Sequence, residues 1–217
     1  DSAVTSTLCA LTGLEVRCLE MPIHQAESHV SRAQEHIEHL KKRFPNVSST
    51  RVDLTPVFER FKSEIDLDGS TTTVDMALAN SRARLRMTTL YYYARFLGRL
   101  VAGTGNKVED FGVGFYTKYG DGGVDLSPIA DLLKSEVYDL GTALEVPESI
   151  LTAAPSDGLF GDSRSDEDQI GASYPELEWA MNAVEDGKIA NDFEGRERTV
   201  IEIYLRYNSA NKHKMNP

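Results

Sequence analysis

Residues 101 to 125 read V-A-G-T-G-N-K-V-E-D-F-G-V-G-F-Y-T-K-Y-G-D-G-G-V-D. The apolar residues 100–102 predict the end of a short strand, and Gly103-Thr104-Gly105-Asn106 predicts the turn that leaves it. Glycines recur through the rest of the stretch, and they let the backbone pass close to a ligand. Hydroxyl, amide, cationic and anionic side chains stand between them. This density of functional groups favours a ligand site over a plain surface loop.

Strand and helix signals alternate on both sides of this stretch. Hydrophobic periodicity and breakers predict strands at 15–21 and 49–54, and helices at 1–13, 24–44, 55–65, 74–97, 127–144, 147–151, 174–186 and 196–207. The alternation indicates an α/β fold, Rossmann-like and three-layered, with a mostly parallel sheet and C-terminal helices. Such folds bind ligands beyond the carboxyl ends of their strands. Residues 154–171, rich in Ser, Asp and Gly, predict a lid or a binding loop.

The predicted helix at 74–97 carries an apolar stripe with arginines along both of its edges. At 100° per residue, Asn80, Arg84 and Tyr91 fall on one flank, while Arg82 and Arg86 fall towards the other. Arginines beside an apolar stripe are compatible with snorkelling or interface ion pairs. They are equally compatible with anion binding, and the sequence leaves both open.

Bulk composition excludes several classes of protein. The 217 residues suit one domain, and 41% apolar with 26% charged residues is typical of a globular chain. The net charge of −11 argues against a nucleic-acid partner. No apolar run approaches the roughly 18 residues that span a bilayer. The chain also opens without the basic region of a signal peptide, so a cytoplasmic protein is expected.

The two cysteines, Cys9 and Cys18, lie in apolar surroundings. They are expected to be buried, reduced thiols rather than a disulfide or part of a metal site. The five histidines are scattered and add no zinc motif.

Short motifs occur in a fixed order along almost the whole chain. They are Asp1-Ser2-Ala3, Met21-Pro22 with Gln25, Asn80-x-Arg82-Ala83-Arg84-x-Arg86-Met87, Gly103-Thr104-Gly105-Asn106-Lys107-x-Glu109, Gly114-Phe115-x-Thr117-Lys118-Tyr119-Gly120-Asp121-Gly122-Gly123 with Asp125, Leu133-Lys134-Ser135, Pro155-Ser156 and His213-Lys214-Met215. In combination they resemble the ammonia-dependent NAD synthetase family of the ATP pyrophosphatase group, whose fold is adenine nucleotide α-hydrolase-like. That group carries a Ser-Gly-Gly-x-Asp-Ser phosphate loop. Because Asp1-Ser2 matches only its last part, the resemblance implies one domain over 1–217 whose first strand and loop start are missing from the sequence.

The resemblance implies a two-step ligase reaction. The nicotinate carboxylate of deamido-NAD attacks the α-phosphate of ATP, which gives an adenylate and pyrophosphate, and ammonia then displaces AMP to form NAD. It implies ATP as co-substrate, Mg²⁺ as cofactor and a homodimer with deamido-NAD at the subunit interface, with the helix at 74–97 as the dimer element. With no cysteine-based glutaminase domain in the sequence, free ammonia is the expected nitrogen donor.

The same resemblance implies roles for individual residues. Asp1, Glu109 and Lys134 would be catalytic, with Asp1 and Glu109 holding Mg²⁺ and Lys134 facing the pyrophosphate charge. ATP would be bound by Ser2, Gln25, Thr104, Lys134 and Ser156. Deamido-NAD would be bound by Asn80, Arg84, Lys118, Asp125, His213 and Lys214.

Two local departures and two alternative functions remain open. Family members often end the strand before Pro22 with an Arg near the adenine, whereas this chain has Glu20-Met21. The run Lys212-His213-Lys214 also allows the His-Lys pair a second register. One alternative is another ATP pyrophosphatase, such as a GMP synthetase core or a tRNA-thiolating enzyme, although the negative charge opposes the latter. The other is a nucleotide-binding module without catalysis, suggested by the incomplete phosphate loop.

Overall fold

The computed structural model describes residues 1–25, 27–153 and 166–215. The helices are α1 (Ser2–Leu11), α2 (Glu27–Arg43), α3 (Thr55–Glu64), α4 (Thr71–Leu97), α5 (Lys134–Ala143), α6 (Glu148–Leu151), α7 (Asp166–Ile170), α8 (Tyr174–Glu185) and α9 (Gly195–Met215). The strands are β1 (Val16–Glu20) and β2 (Val47–Arg51). A π-helix spans Val108–Val113, and a short 3₁₀ helix spans Ala190–Asp192.

The strands are parallel, which confirms the predicted α/β class. β1 and β2 pair in register from Val16 opposite Val47 to Glu20 opposite Arg51, and α2 forms the crossover between them. A further parallel bridge joins Ala102 to Leu126. The predicted second strand at 49–54 is placed too late, because pairing with β1 fixes its limits at 47–51.

The predicted long helix is present as α4, but it begins three residues earlier. Ser70 explains the earlier start, because its hydroxyl accepts a hydrogen bond from the backbone N–H of Thr73 at 3.3 Å. Ala79 and Ala83 of the predicted stripe are buried, while Met76 at its beginning is exposed. The arginine-edged stripe therefore faces the interior over its middle turns.

Three further predictions of secondary structure are wrong. Helix α5 begins at Lys134 instead of 127, because the side chain of Glu136 accepts the backbone N–H of Leu133 and caps the helix there. Residues 166–170 of the predicted loop form α7, whereas residues 154–165 lie outside the described part of the chain. The tail 208–215 continues α9 instead of following it.

The largest buried cluster joins the π-helix to α8 and α9. Its members include Val108, Val113, Leu177 and Ile201.

Cys9 and Cys18 are free thiols as predicted, but both are half-buried. Among the described residues, none of the helices is long and apolar enough to cross a membrane.

Candidate active site

A cleft of about 1780 Å³ opens along α1, β1, α4 and residues 101–104. Its wall contains members of both predicted groups of ligand-binding residues. They are Asp1, Ser2, Gln25, Asn80, Thr104, Lys134 and Lys214. The cleft thus brings together residues that are more than 200 positions apart in the chain.

A cluster of one buried cation and two part-buried carboxylates lies at this cleft. The Nζ atom of Lys134 is 2.6 Å from Asp1 Oδ2 and 3.0 Å from Glu109 Oε1. Three separate elements supply these side chains: the start of α5, the N-cap position of α1 and the first turn of the π-helix. Asp1 makes no capping hydrogen bond with its side chain, so its carboxylate is directed to the cluster. Lys134 is only 7% exposed, and a buried charge needs such partners.

Two residues without a predicted role hold the carboxylates in place. Fully buried Asn106 donates to Asp1 Oδ2 at 3.4 Å, and its Oδ1 atom accepts the backbone N–H of Glu109 at 3.0 Å. The hydroxyl of Tyr174 donates to Glu109 Oε1 at 2.5 Å. The Lys134 ammonium also lies over the Tyr174 ring, 4.8 Å from its centroid. Burial, followed by the Glu109 charge, raises the pKa of Tyr174.

The donor atoms of this cluster fit a hard divalent cation. Asp1 Oδ1 is buried and has no hydrogen-bond partner within the described part of the chain, so it is an orphaned carboxylate oxygen. Mg²⁺ prefers oxygen ligands and commonly takes one or two carboxylates beside substrate phosphates. Within 1–25, 27–153 and 166–215, no three His, Cys, Asp or Glu side chains form a metal-binding group. The described residues can therefore offer the Asp1 and Glu109 pair to such a cation.

A second group of predicted residues joins α4 to the glycine-rich stretch. The hydroxyl of Thr117 donates to Asn80 Oδ1 at 2.6 Å, and the backbone N–H of Thr117 donates to Asp121 Oδ1 at 3.1 Å. Arg84 Nε donates to the carbonyl of Lys118 at 3.3 Å. These contacts place the predicted Asn80, Arg84 and Lys118 side by side.

The last turn of α9 docks on the same stretch. Lys118 Nζ donates to the carbonyl of His213 at 2.5 Å. Lys214 Nζ donates to the carbonyls of Gly114 and Tyr116, both at 2.8 Å, and burial lowers the pKa of Lys214. Both amines thus tie the tail to the loop, and this arrangement groups His213 and Lys214 with Lys118.

Asp125 is fixed by two donors at the end of the stretch. Its Oδ1 accepts the hydroxyl of Tyr91 at 3.0 Å, and its Oδ2 accepts the backbone N–H of Val101 at 2.8 Å. The carboxylate therefore joins α4 to the segment before the Ala102 bridge, where the predicted strand is reduced to that single bridge.

The strand end that lacks an arginine receives one from α4. Arg86 Nε donates to the carbonyl of Met21 at 3.0 Å, and its buried Nη2 has no hydrogen-bond partner among the residues that the structure describes. Burial and neighbouring Arg82 lower the pKa of Arg86 to about 10. On the same flank, Arg82 lies over the ring of Phe58 at 5.3 Å. Arg86 therefore contacts the backbone after β1, and Arg82 contacts an aromatic ring of α3.

Two glycines of the stretch are required by close approach. A Cβ atom on Gly105 would lie 2.1 Å from Asp110 Oδ2, and one on Gly114 would lie 2.4 Å from Asn211 Cβ. Gly114 also has a φ of 63°, which favours glycine.

The carboxyl of Asp110, which lies against Gly105, has a shifted pKa. Burial and the charges of Glu109 and Asp121 raise the pKa of Asp110 to about 7.

The remaining residues that were predicted to bind ATP lie outside the Lys134 cluster. Ser2 is exposed and Thr104 is half-buried, and both line the cleft. Gln25 Oε1 accepts the backbone N–H of Ile23 at 2.6 Å. Ser156 lies outside the described residues.

Comparison with known proteins identifies relatives over the full length of the chain. The family model described as NAD synthase matches residues 1–217. The NH(3)-dependent NAD(+) synthetase of Methanococcoides burtonii is 37% identical over 208 residues, which cover 94% of this chain and 74% of that protein. The corresponding protein of Thermoplasma acidophilum is 32% identical and covers 100% of this chain and 84% of its own length.

Solved structures show the same fold. The NMN synthetase of Francisella tularensis superposes with a TM-score of 0.81 at 32% identity, covering 100% of this chain and 82% of that one. The NH3-dependent NAD synthetase of Campylobacter jejuni gives 0.75 at 25% identity, also over 100% and 82%.

Proposed function

The chain belongs to the NAD synthase family, and we propose that its cleft carries out the ATP-dependent amidation of deamido-NAD with ammonia. The enzyme is then a C–N ligase that releases AMP and pyrophosphate. The family match over residues 1–217 favours this reaction over a GMP synthetase core, a tRNA-thiolating enzyme or a non-catalytic nucleotide-binding module. The observation that carries the proposal is the buried convergence of Lys134 on Asp1 and Glu109 beside the cleft.

The reaction assigns chemistry to that cluster. In the first step, a carboxylate oxygen of the nicotinate bonds to the α-phosphorus of ATP and pyrophosphate leaves. In the second step, ammonia bonds to the carboxyl carbon, AMP leaves with that oxygen, and a proton is released. Charge builds on the phosphate oxygens during the first step, so a fixed ammonium at Lys134 stabilises it. Low exposure of Lys134 strengthens this effect because water screens it less.

Asp1 and Glu109 are proposed to hold Mg²⁺. The support is the orphaned Asp1 Oδ1 atom and the hard oxygen donors of both carboxylates. A bound Mg²⁺ would neutralise charge on the phosphate oxygens of ATP. The chain's own part is to hold the two carboxylates in fixed positions through Asn106 and Tyr174.

The two substrates are proposed to bind on either side of the glycine-rich stretch. ATP would lie towards α1 and β1, where it meets Ser2, Gln25, Thr104 and Lys134. Ser156, outside the described residues, is also proposed to bind ATP. Deamido-NAD would lie along α4 and the last turn of α9, where it meets Asn80, Arg84, Lys118, Asp125, His213 and Lys214. Support for the second set comes from the hydrogen bonds that gather those residues around 114–125.

A homodimer formed through α4 is also proposed. Phe96 and Leu100 are each 71% exposed, and the ring of exposed Tyr92 stacks on that of Phe96 with 3° between their planes. Contiguous exposed apolar side chains mark interaction surfaces.

A cytoplasmic location is also proposed. The free thiols of Cys9 and Cys18 suit a reducing compartment, which supports it.

One comparison supports a second candidate substrate beside deamido-NAD. The structure of an NMN synthetase superposes on this chain with a higher TM-score than that of the Campylobacter jejuni NAD synthetase, 0.81 against 0.75. The same cleft could amidate nicotinate mononucleotide, whose reacting carboxylate is identical. Incubating the full-length protein with ATP, Mg²⁺, ammonia and each acid in competition separates the two. The proposal expects deamido-NAD to be amidated with the higher kcat/KM, and a preference for the mononucleotide would replace it.

A further inference from the structure

The hydroxyl of Tyr174 and the ammonium of Lys134 converge on a single oxygen, Glu109 Oε1, at 2.5 Å and 3.0 Å. We propose that Tyr174 is a positioning residue that keeps the Glu109 carboxylate oriented for the divalent cation and ATP. This inference rests on the proposed function, because it assigns Glu109 to metal binding. It adds a residue from α8 to a site otherwise built from α1, α5 and the π-helix.

A carboxylate has two oxygens and rotates easily about its last bond. Because both hydrogen bonds act on Oε1, they fix that rotation and leave Oε2 directed away from the two donors. An oriented second oxygen can meet a cation without reorganisation, and such outer contacts commonly set metal affinity.

Lys134 alone cannot perform this task throughout the reaction. Its ammonium is also proposed to stabilise the pyrophosphate charge, and that charge would compete with Glu109 for the same donor. The hydroxyl of Tyr174 is a neutral donor with no other role in the proposed chemistry. It can therefore hold Glu109 in place while the Lys134 contact changes.

Helix α8 gives Tyr174 a rigid base. Tyr174 is 4% exposed and belongs to the core cluster that joins α8, α9 and the π-helix. Its backbone N–H donates to Glu167 Oε1 at 2.7 Å. Four residues further along α8, Glu178 accepts the backbone N–H and the hydroxyl of Ser135 at 2.8 and 2.9 Å. The same helix thus fixes both Glu109 and the start of α5, which carries Lys134.

The variant Tyr174→Phe isolates the hydroxyl, because it keeps the ring beneath Lys134 and within the core. Tyr204→Phe is the matched control. Tyr204 is equally buried in the same core cluster, and among the described residues it makes no hydrogen bond to Asp1 or Glu109. Both variants lose one hydroxyl, so only a specific effect on Glu109 separates them.

The test measures Mn²⁺ binding to the full-length protein by electron paramagnetic resonance, with α,β-methylene-ATP present. Tyr174→Phe should raise the Kd for Mn²⁺ about ten-fold, whereas Tyr204→Phe should leave it near that of the wild type. In turnover assays the KM for Mg²⁺ should rise similarly, and saturating Mg²⁺ should restore most of kcat. An unchanged Kd in Tyr174→Phe, even with a lowered melting temperature, would reduce Tyr174 to a structural residue and overturn the inference. A wild-type protein that binds no Mn²⁺ with the analogue would instead overturn the proposed function.

Discussion

Lys134 Nζ lies 2.6 Å from Asp1 Oδ2, although the two residues are 133 positions apart in the chain. The pair joins the start of α5 to the start of α1 at the wall of the cleft. Glu109 completes the contact from the π-helix at 3.0 Å. A single buried ammonium thus balances two carboxylates, and each of the three depends on the others.

Replacing Lys134 by alanine should impair both activity and stability. Without the ammonium, the charge that builds on the phosphate oxygens is not stabilised, so kcat should fall by on the order of 10²-fold or more. Two part-buried carboxylates would also be left without their cation, which costs roughly 3 kcal/mol of unfolding free energy. Steady-state kinetics and urea denaturation measure the two effects. Wild-type turnover in Lys134→Ala would remove this amine from the mechanism, and unchanged stability would contradict the ion cluster.

Lys214→Met should weaken binding of the dinucleotide. This change removes both hydrogen bonds from the α9 tail to the carbonyls of Gly114 and Tyr116. The loop that carries Lys118 should then be less ordered, so the KM for deamido-NAD should rise about ten-fold with a smaller change in kcat, as expected when about 1.4 kcal/mol of binding is lost. Lys212→Met is the control, since Lys212 lies two residues earlier and is exposed. Equal KM values for the two variants would contradict a specific role of the tail.

The buried His36 should make the fold sensitive to mild acid. Burial, and then the neighbouring His39, lower the pKa of His36 from 6.5 to about 4. Between these two values the unfolded chain binds a proton that the folded chain does not, so the unfolding free energy falls as pH drops through this window. The loss from this residue should be on the order of 1 to 3 kcal/mol.

Urea denaturation from pH 7 to pH 4 measures the effect of His36. His36→Gln is the informative comparison, because glutamine does not titrate and can still meet the hydroxyl of Ser6, which lies 2.9 Å from His36 Nε2. The variant should show a shallower decline of stability over this range. Identical pH profiles for wild type and variant would mean that His36 contributes nothing to acid sensitivity.

Phe96→Asp should dissociate the proposed dimer. A carboxylate in the exposed aromatic patch of α4 would have to be desolvated on association, so the variant should elute as a monomer at micromolar concentration. Ile189→Asp changes an exposed apolar residue outside α4 and should leave the dimer intact. Light scattering coupled to gel filtration gives the masses. A wild type that is already monomeric would contradict the dimer proposal.

The sequence predicted those features that local signals control. The limits of α8 follow from a capping Ser173 and a proline in the first turn, and both are visible in the sequence. The resemblance identified Lys134, Asp1 and Glu109 as partners in one site, and the structure brings them within hydrogen-bond distance.

What the sequence missed depends on contacts between distant segments. Helix α9 continues to Met215 because Asn208 and Asn211 donate to the carbonyls of Gly112 and Val113, which lie nearly 100 residues earlier. The π-helix around Glu109 lies within a run of glycines that predicts a loop. Tyr174 shows no motif of its own, since an aromatic residue at a helix start is ordinarily a core residue. Only the fold reveals that its hydroxyl reaches Glu109.

The fate of the carboxylate oxygen tests the central claim most directly. Deamido-NAD labelled with ¹⁸O in its nicotinate carboxylate is incubated with the full-length protein, ATP, Mg²⁺ and ammonia, and the products are analysed by mass spectrometry. Adenylation predicts that each NAD formed is accompanied by one AMP that carries one ¹⁸O atom, with unlabelled pyrophosphate. Label in inorganic phosphate together with ADP, or unlabelled AMP, would contradict activation of the carboxylate at this site.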